Sequence, residues 1–115
     1  MEPTLLVGMG GAIGAVLRFV VSKTPAVKGI PAGTLAVNVL GSAAFAALVF
    51  TQEPADLMYF IGTGCLGGFT TFSTFSYETF RMLENHDYYT MGANILFNAG
   101  GGILGVLLGY GISLL

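Results

Sequence analysis

The chain is predicted to be an all-α integral membrane protein of four transmembrane helices, and three observations predict this class. Only 9% of its 115 residues are charged, against ~25% in soluble domains, and its mean hydropathy is +0.79. Uncharged stretches run from Ile30 to Gln52, from Leu57 to Tyr77 and from Tyr88 to Leu115, while a fourth, Pro3 to Leu17, continues past Arg18 to Ser22. Each reaches the roughly 20 residues a helix needs to cross a hydrocarbon core, and the polar connections between them are short. Short connections force neighbouring helices to run antiparallel and leave no room for a second domain, so residues 1–115 are expected to form one.

Span 1 is expected over about residues 4–22. The acidic start Met1-Glu2-Pro3 lacks the basic region and cleavage site of a secretory signal, so the segment is read as a retained span. A loop with two prolines, Pro25 and Pro31, leads to span 2 at about 32–51. Gln52 to Asp56 is a tight connection to span 3, expected over about 57–83 and long enough to contain a break. Glu84 to Asp87 forms the last loop, before span 4 at about 89–115.

Glycines recur at helix-packing spacing. Gly10 and Gly14 form one GxxxG pair, and Gly101, Gly105 and Gly109 form a stripe on span 4. Such stripes bring helix backbones together where lipid offers no hydrophobic drive. Spacing alone leaves open whether they pack within the subunit or against another. Four helices enclose little space, so a conducting path is expected between subunits, and an oligomer with it.

Charge excludes several classes. The net charge is −2 with no basic cluster, which argues against nucleic acid. The single cysteine, Cys65, permits no intrachain disulfide and has no histidine in its segment to make it a nucleophile. The only histidine, His86, lies in a loop beside Glu84 and Asp87, which does not make a metal site. An enzyme is not expected. Gly62, Gly64 and Gly67 match G-x-G-x-x-G, but that fingerprint needs a βαβ unit, and here it lies within a membrane segment. Arg18, Lys23, Lys28 and Arg81 all fall towards the side of loops 1 and 3, whereas loop 2 and both termini lack Lys and Arg. The positive-inside rule therefore favours both termini outside.

The polar residues inside the spans carry the functional signal. The run Gly67-Gly68-Phe69-Thr70-Thr71-Phe72-Ser73-Thr74-Phe75-Ser76 sets a glycine pair before alternating hydroxyls and phenylalanines. Hydroxyls away from water need partners, and the glycines invite a broken backbone. On a helix Phe69, Phe72 and Phe75 share about 120° of arc, while Thr70, Ser73, Thr74, Tyr77 and Glu78 occupy much of the rest. Asn38 lies in span 2, Asn94 and Asn98 share a face of span 4, and Arg18 falls late in span 1. For the asparagines the alternative is interhelical hydrogen bonding, and for Arg18 and Glu78 it is snorkelling to the interface. Hydroxyls, amides, one Arg and electropositive phenyl edges all suit an anion that gives up water in a pore.

These residues resemble the Fluc/CrcB fluoride channels. The resemblance rests on Gly11-Ala-Ile-Gly14-Ala-Val-Leu-Arg18-Phe19, on Gly33-Thr-Leu-Ala-Val-Asn38-Val-Leu-Gly41-Ser42, and on Gly64-Cys-Leu-Gly67-Gly68-Phe-Thr-Thr-Phe-Ser-Thr-Phe-Ser76 with Glu78. It implies a fluoride-selective channel in a prokaryotic cell membrane, exporting fluoride passively through two pores of an antiparallel, dual-topology dimer with a broken third helix. On that resemblance Phe72 and Phe75 turn ring edges to fluoride, and Asn38 offers an amide donor. Ser73, Thr74 and Ser76 form a polar track with Glu78 near its end, and Arg18 attracts anions near a vestibule. The resemblance also implies a structural sodium ion shared by both subunits and held by backbone carbonyls of Gly67 and Thr70.

Two departures stand out. The family often has a tyrosine and a serine four apart in span 4; this chain has Asn94 and Asn98, which puts their pore role in question. Its Lys/Arg bias also exceeds that of the family's homodimers, which leaves open a pairing with an oppositely oriented homologous chain. Two other classes share the length. A small four-helix proton-coupled multidrug transporter would want an acidic residue in the middle of span 1 and tryptophans around it, and this chain has only Arg18 there and no Trp. A packing subunit without transport of its own is the third.

Overall fold

The computed structural model describes residues 2–115 and, among them, is all-helical apart from one isolated bridge between Val27 and Ile30. Helix α1 (Pro3–Ser22) starts on a proline, whose missing N–H costs nothing in a first turn. Helix α2 (Ala32–Phe50) follows a turn in which Lys28 and Gly29 both take positive φ, which lets Val27 and Ile30 exchange backbone hydrogen bonds of 2.9 and 3.0 Å. The third segment comes in pieces. Helix α3 (Ala55–Leu57) continues into a π-helical stretch (Met58–Leu66) and then α4 (Gly67–Phe69). Helical structure stops there and resumes in α5 (Ser73–Glu84).

A short corner joins α5 to α6 (Tyr88–Ser113). His86 takes a left-handed φ of 57°, and the Asp87 and His86 amides bond back to the Met82 and Leu83 carbonyls at 2.9 and 3.0 Å. Asp87 then caps α6 by accepting from the Thr90 N–H at 3.2 Å.

Helices α1, α2 and α6 are each long and apolar enough to cross a membrane, which makes this a multi-pass membrane protein. The third segment differs because the interruption divides it into the continuous helical residues 55–69 and the 12 residues of α5, each shorter than the roughly 20 a crossing needs.

The glycine stripes pack within the subunit. A methyl group on Gly10 or Gly14 would collide with the backbone carbonyls of Phe60 and Cys65 in the π-helical stretch. On the same seam a Cβ at Gly64 would stand 2.9 Å from the Val7 carbonyl. The α6 stripe meets α2: a Cβ on Gly105 would lie 2.7 Å from the Val39 carbonyl, and one on Gly109 would strike that of Ala43. Residue numbers rise together along both seams. Hence α1 runs parallel to the third segment, and α2 runs parallel to α6.

The glycines of the G-x-G-x-x-G match belong to this packing, with Gly62 and Gly64 buried in a helix and no βαβ unit around them. Apolar side chains contribute little to the interior. Among the described residues only Leu6, Val37 and Ala46 form a buried hydrophobic core. The molecule is a slab of 48 × 30 × 18 Å whose apolar side chains mostly face outward.

Candidate functional site

The site grows from the interruption after Phe69. Thr70 adopts extended backbone, with φ −82° and ψ 158°, so the helix cannot continue through it. Two amides that an unbroken helix would return to carbonyls four residues back are diverted. The Thr71 N–H, whose helical acceptor would be Gly67, donates instead to Asn38 Oδ1 at 2.8 Å. The Thr74 N–H, whose acceptor would be Thr70, donates to Thr71 Oγ1 at 3.1 Å, in the manner of a helix N-cap. Diversion leaves the Gly67 and Thr70 carbonyls without their helical donors, and both residues line a groove. At membrane depth such carbonyls need a donor or a cation.

Asn38 begins a chain of side-chain hydrogen bonds. Its Nδ2 donates to Asn98 Oδ1 at 3.3 Å. Asn98 Nδ2 donates to Asn94 twice, to the backbone carbonyl at 2.9 Å and to Oδ1 at 3.1 Å. Asn94 Nδ2 donates to Thr79 Oγ1 at 3.1 Å, and that hydroxyl donates to the Phe75 carbonyl at 2.7 Å. Asn94 is 1% exposed and Asn98 9%, so the pair sits inside the protein and is satisfied there.

A groove of about 960 Å³ opens beside this network. It brings together Asn38, Gly67, Thr70, Phe72, Phe75 and Asn98 from four elements. The Phe72 and Phe75 rings stand 6.0 Å apart at 46°, and Phe72 is 79% exposed. A smaller pocket of about 200 Å³ holds Arg18 with Ser22, Thr34 and Thr74. Thr71 borders both cavities.

Ser73, Ser76, Glu78 and Asn94 line neither cavity. Ser73 Oγ lies 3.4 Å from Thr71 Oγ1, while Ser76 is half-buried on α5. Glu78 Oε1 is buried without a hydrogen-bond partner among the described residues. His86 is exposed and pairs its Nδ1 with the Tyr88 hydroxyl at 3.0 Å.

Two residues of the site escaped the sequence reading. Thr71 acts through its backbone amide and as a cap, and its place in the hydroxyl run was the only signal for it. Thr79 follows that run by three positions and is reached by Asn94, fifteen residues on.

Fold and site together define a small multi-pass membrane protein built around a polar interruption in its third segment. The chain belongs to the CrcB-like family: a family model described as "CrcB-like protein, Camphor Resistance (CrcB)" matches residues 5–110. Curated relatives agree over nearly the full length. A protein of Methanosarcina barkeri named fluoride-specific ion channel FluC 1 is 47% identical, covering 96% of each chain. Fluoride-specific ion channel FluC 3 of Methanosarcina acetivorans is 48% identical over 91% of this chain and 96% of its own. Fluoride-specific ion channel FluC of Methanococcus maripaludis is 48% identical over 95% of this chain and 93% of its own.

Proposed function

We propose that the chain is a fluoride-selective channel that lets fluoride leave the cytoplasm passively. The observation that carries this reading is the convergence of Asn38, Phe72 and Phe75 on one groove beside the interrupted third helix. Fluoride is small and strongly hydrated, so a pore must replace its water with donors that hold it weakly enough to release. Asn38 spends one amide hydrogen on Asn98 and keeps the other for an anion. Phenyl edges carry positive electrostatic potential and suit an anion passing between Phe72 and Phe75. Thr74 adds a hydroxyl in the Arg18 pocket. Ser73 and Ser76, with Glu78 near their end, join the track only where a second subunit covers α5, since they line neither cavity of the single chain. The Arg18 pocket draws anions towards Thr71. The names of the relatives support fluoride as the ion.

Export needs no energy input. Hydrogen fluoride enters from an acidic exterior, dissociates in the cytoplasm, and the trapped anion leaves through the channel down its gradient.

The working unit is an antiparallel dimer. Phe72 is 79% exposed and the groove is open in a single chain, so a second subunit is needed to close the path around the ring pair. That subunit is a second copy or a homologous chain of opposite orientation; mapping both termini in cells separates the two, since one fixed orientation requires a partner chain.

The Gly67 and Thr70 carbonyls fit a structural sodium ion at the subunit interface, because both have lost their helical donors and both residues line the groove. Bound there, the ion would supply the positive charge those carbonyls require.

Expression in a fluoride-sensitive bacterium lacking its own exporter tests the reading. The chain restores growth in fluoride; failure of correctly inserted protein to do so would refute it.

A further inference from the structure

Asn94 and Asn98, the two amides on span 4, make every hydrogen bond the structure gives them to protein. Asn98 Nδ2 donates to the backbone carbonyl and to Oδ1 of Asn94, and Asn98 Oδ1 accepts from Asn38. Asn94 is enclosed at 1% exposure. A backbone N–H can only donate, so the Thr71 amide fixes Oδ1 of Asn38 towards itself. That forces Nδ2 of Asn38 towards Asn98, then Nδ2 of Asn98 towards Asn94, then Nδ2 of Asn94 towards Thr79. The relay ends on the Phe75 carbonyl. One backbone group thus sets the direction of three amides, and each bond polarises the next.

The relay starts and ends on the same stretch of chain. It leaves at Thr71, passes through α2 and α6, and returns to α5 at Thr79 and Phe75. No residue of α5 is buried, so apolar packing does little to fix this helix within the subunit. Yet α5 carries Phe75 and follows directly on Phe72. We infer that Asn94, Asn98 and Thr79 form a positioning clamp that holds α5 and its phenylalanine pair in register with Asn38, and that the two asparagines act on fluoride passage without contacting the ion. This rests on the channel reading above and adds to it the task of span 4.

Thr79 separates the clamp from a direct ion-binding role, because it lines neither cavity. Thr79→Val keeps the shape and removes the hydroxyl that receives Asn94. Its fluoride efflux from proteoliposomes falls about tenfold or more, as expected for a misplaced site, while the dimer stays intact by size exclusion. Thr79→Ser restores the hydroxyl and recovers the rate. Combining Thr79→Val with Asn98→Leu costs little beyond the larger single loss, since both cut one relay. Hydrogen exchange at the Thr71 amide, read without reference to transport, quickens about tenfold in Asn98→Leu. Wild-type efflux in Thr79→Val, or full additivity with Asn98→Leu, would overturn the clamp. Unchanged Thr71 exchange would overturn it too, even in a chain that passed no fluoride.

Discussion

The backbone amide of Thr71 abandons its own helix and donates to the side chain of Asn38, 2.8 Å away on α2. This one bond links the interruption in the third segment to the groove beside it. Asn38→Leu would strand the buried Thr71 N–H and remove the donor to Asn98 Oδ1. A loss of roughly 1–3 kcal/mol per unpaired group is expected. Thermal unfolding in detergent checks it, and fluoride efflux should fall at the same time. A variant as stable and as active as wild type would show that the bond is dispensable.

Much of this arrangement was legible in the residues. The uncharged runs marked the helices. The glycine and hydroxyl run pointed to the region of the interruption, but Gly67 and Gly68 are themselves helical and the helix stops only at Thr70. The face shared by Asn94 and Asn98 followed from their spacing. Other features were not legible, for physical reasons. A π-helical stretch at Met58–Leu66 differs from an α-helix by one residue in its hydrogen-bond step, which side-chain patterns do not encode. Glycine spacing showed that Gly10 and Gly105 approach a backbone but not whose backbone it is. The work of Thr71 is done by a main-chain amide common to every residue but proline, so no residue type announces it.

Glycine substitution separates packing from mere tolerance on one helix. Gly14→Ala would drive a methyl group into the Cys65 carbonyl, whereas Gly8 has open space where a Cβ would stand. Gly14→Ala should cost roughly 1–3 kcal/mol through backbone displacement. Gly8→Ala should be neutral or stabilise by up to ~1 kcal/mol, since alanine favours helix. Paired unfolding curves decide it, and equal behaviour of the two variants would contradict the seam.

The two phenylalanines test the proposed path. Phe72→Ile and Phe75→Ile keep apolar bulk but remove the aromatic rings that line the groove. Efflux is expected to fall roughly tenfold or more in each, with assembly on size exclusion unchanged, because a preorganised electrostatic contact is lost. Normal flux in both would remove the rings from the pathway.

The diverted Gly67 and Thr70 carbonyls make a cation requirement measurable. Purification with a large organic cation in place of sodium should lower the unfolding temperature of the proposed dimer, and returning sodium should restore it. A melting temperature that ignores sodium would leave those carbonyls to be satisfied by other donors.

The central claim is that this chain passes fluoride and discriminates against chloride. The most direct measurement loads proteoliposomes of the purified chain with both anions and follows each with an ion-selective electrode after the potential is released. Rapid loss of fluoride with chloride retained is the predicted result. Equal release of the two anions, or retention of both by correctly inserted protein, would contradict it.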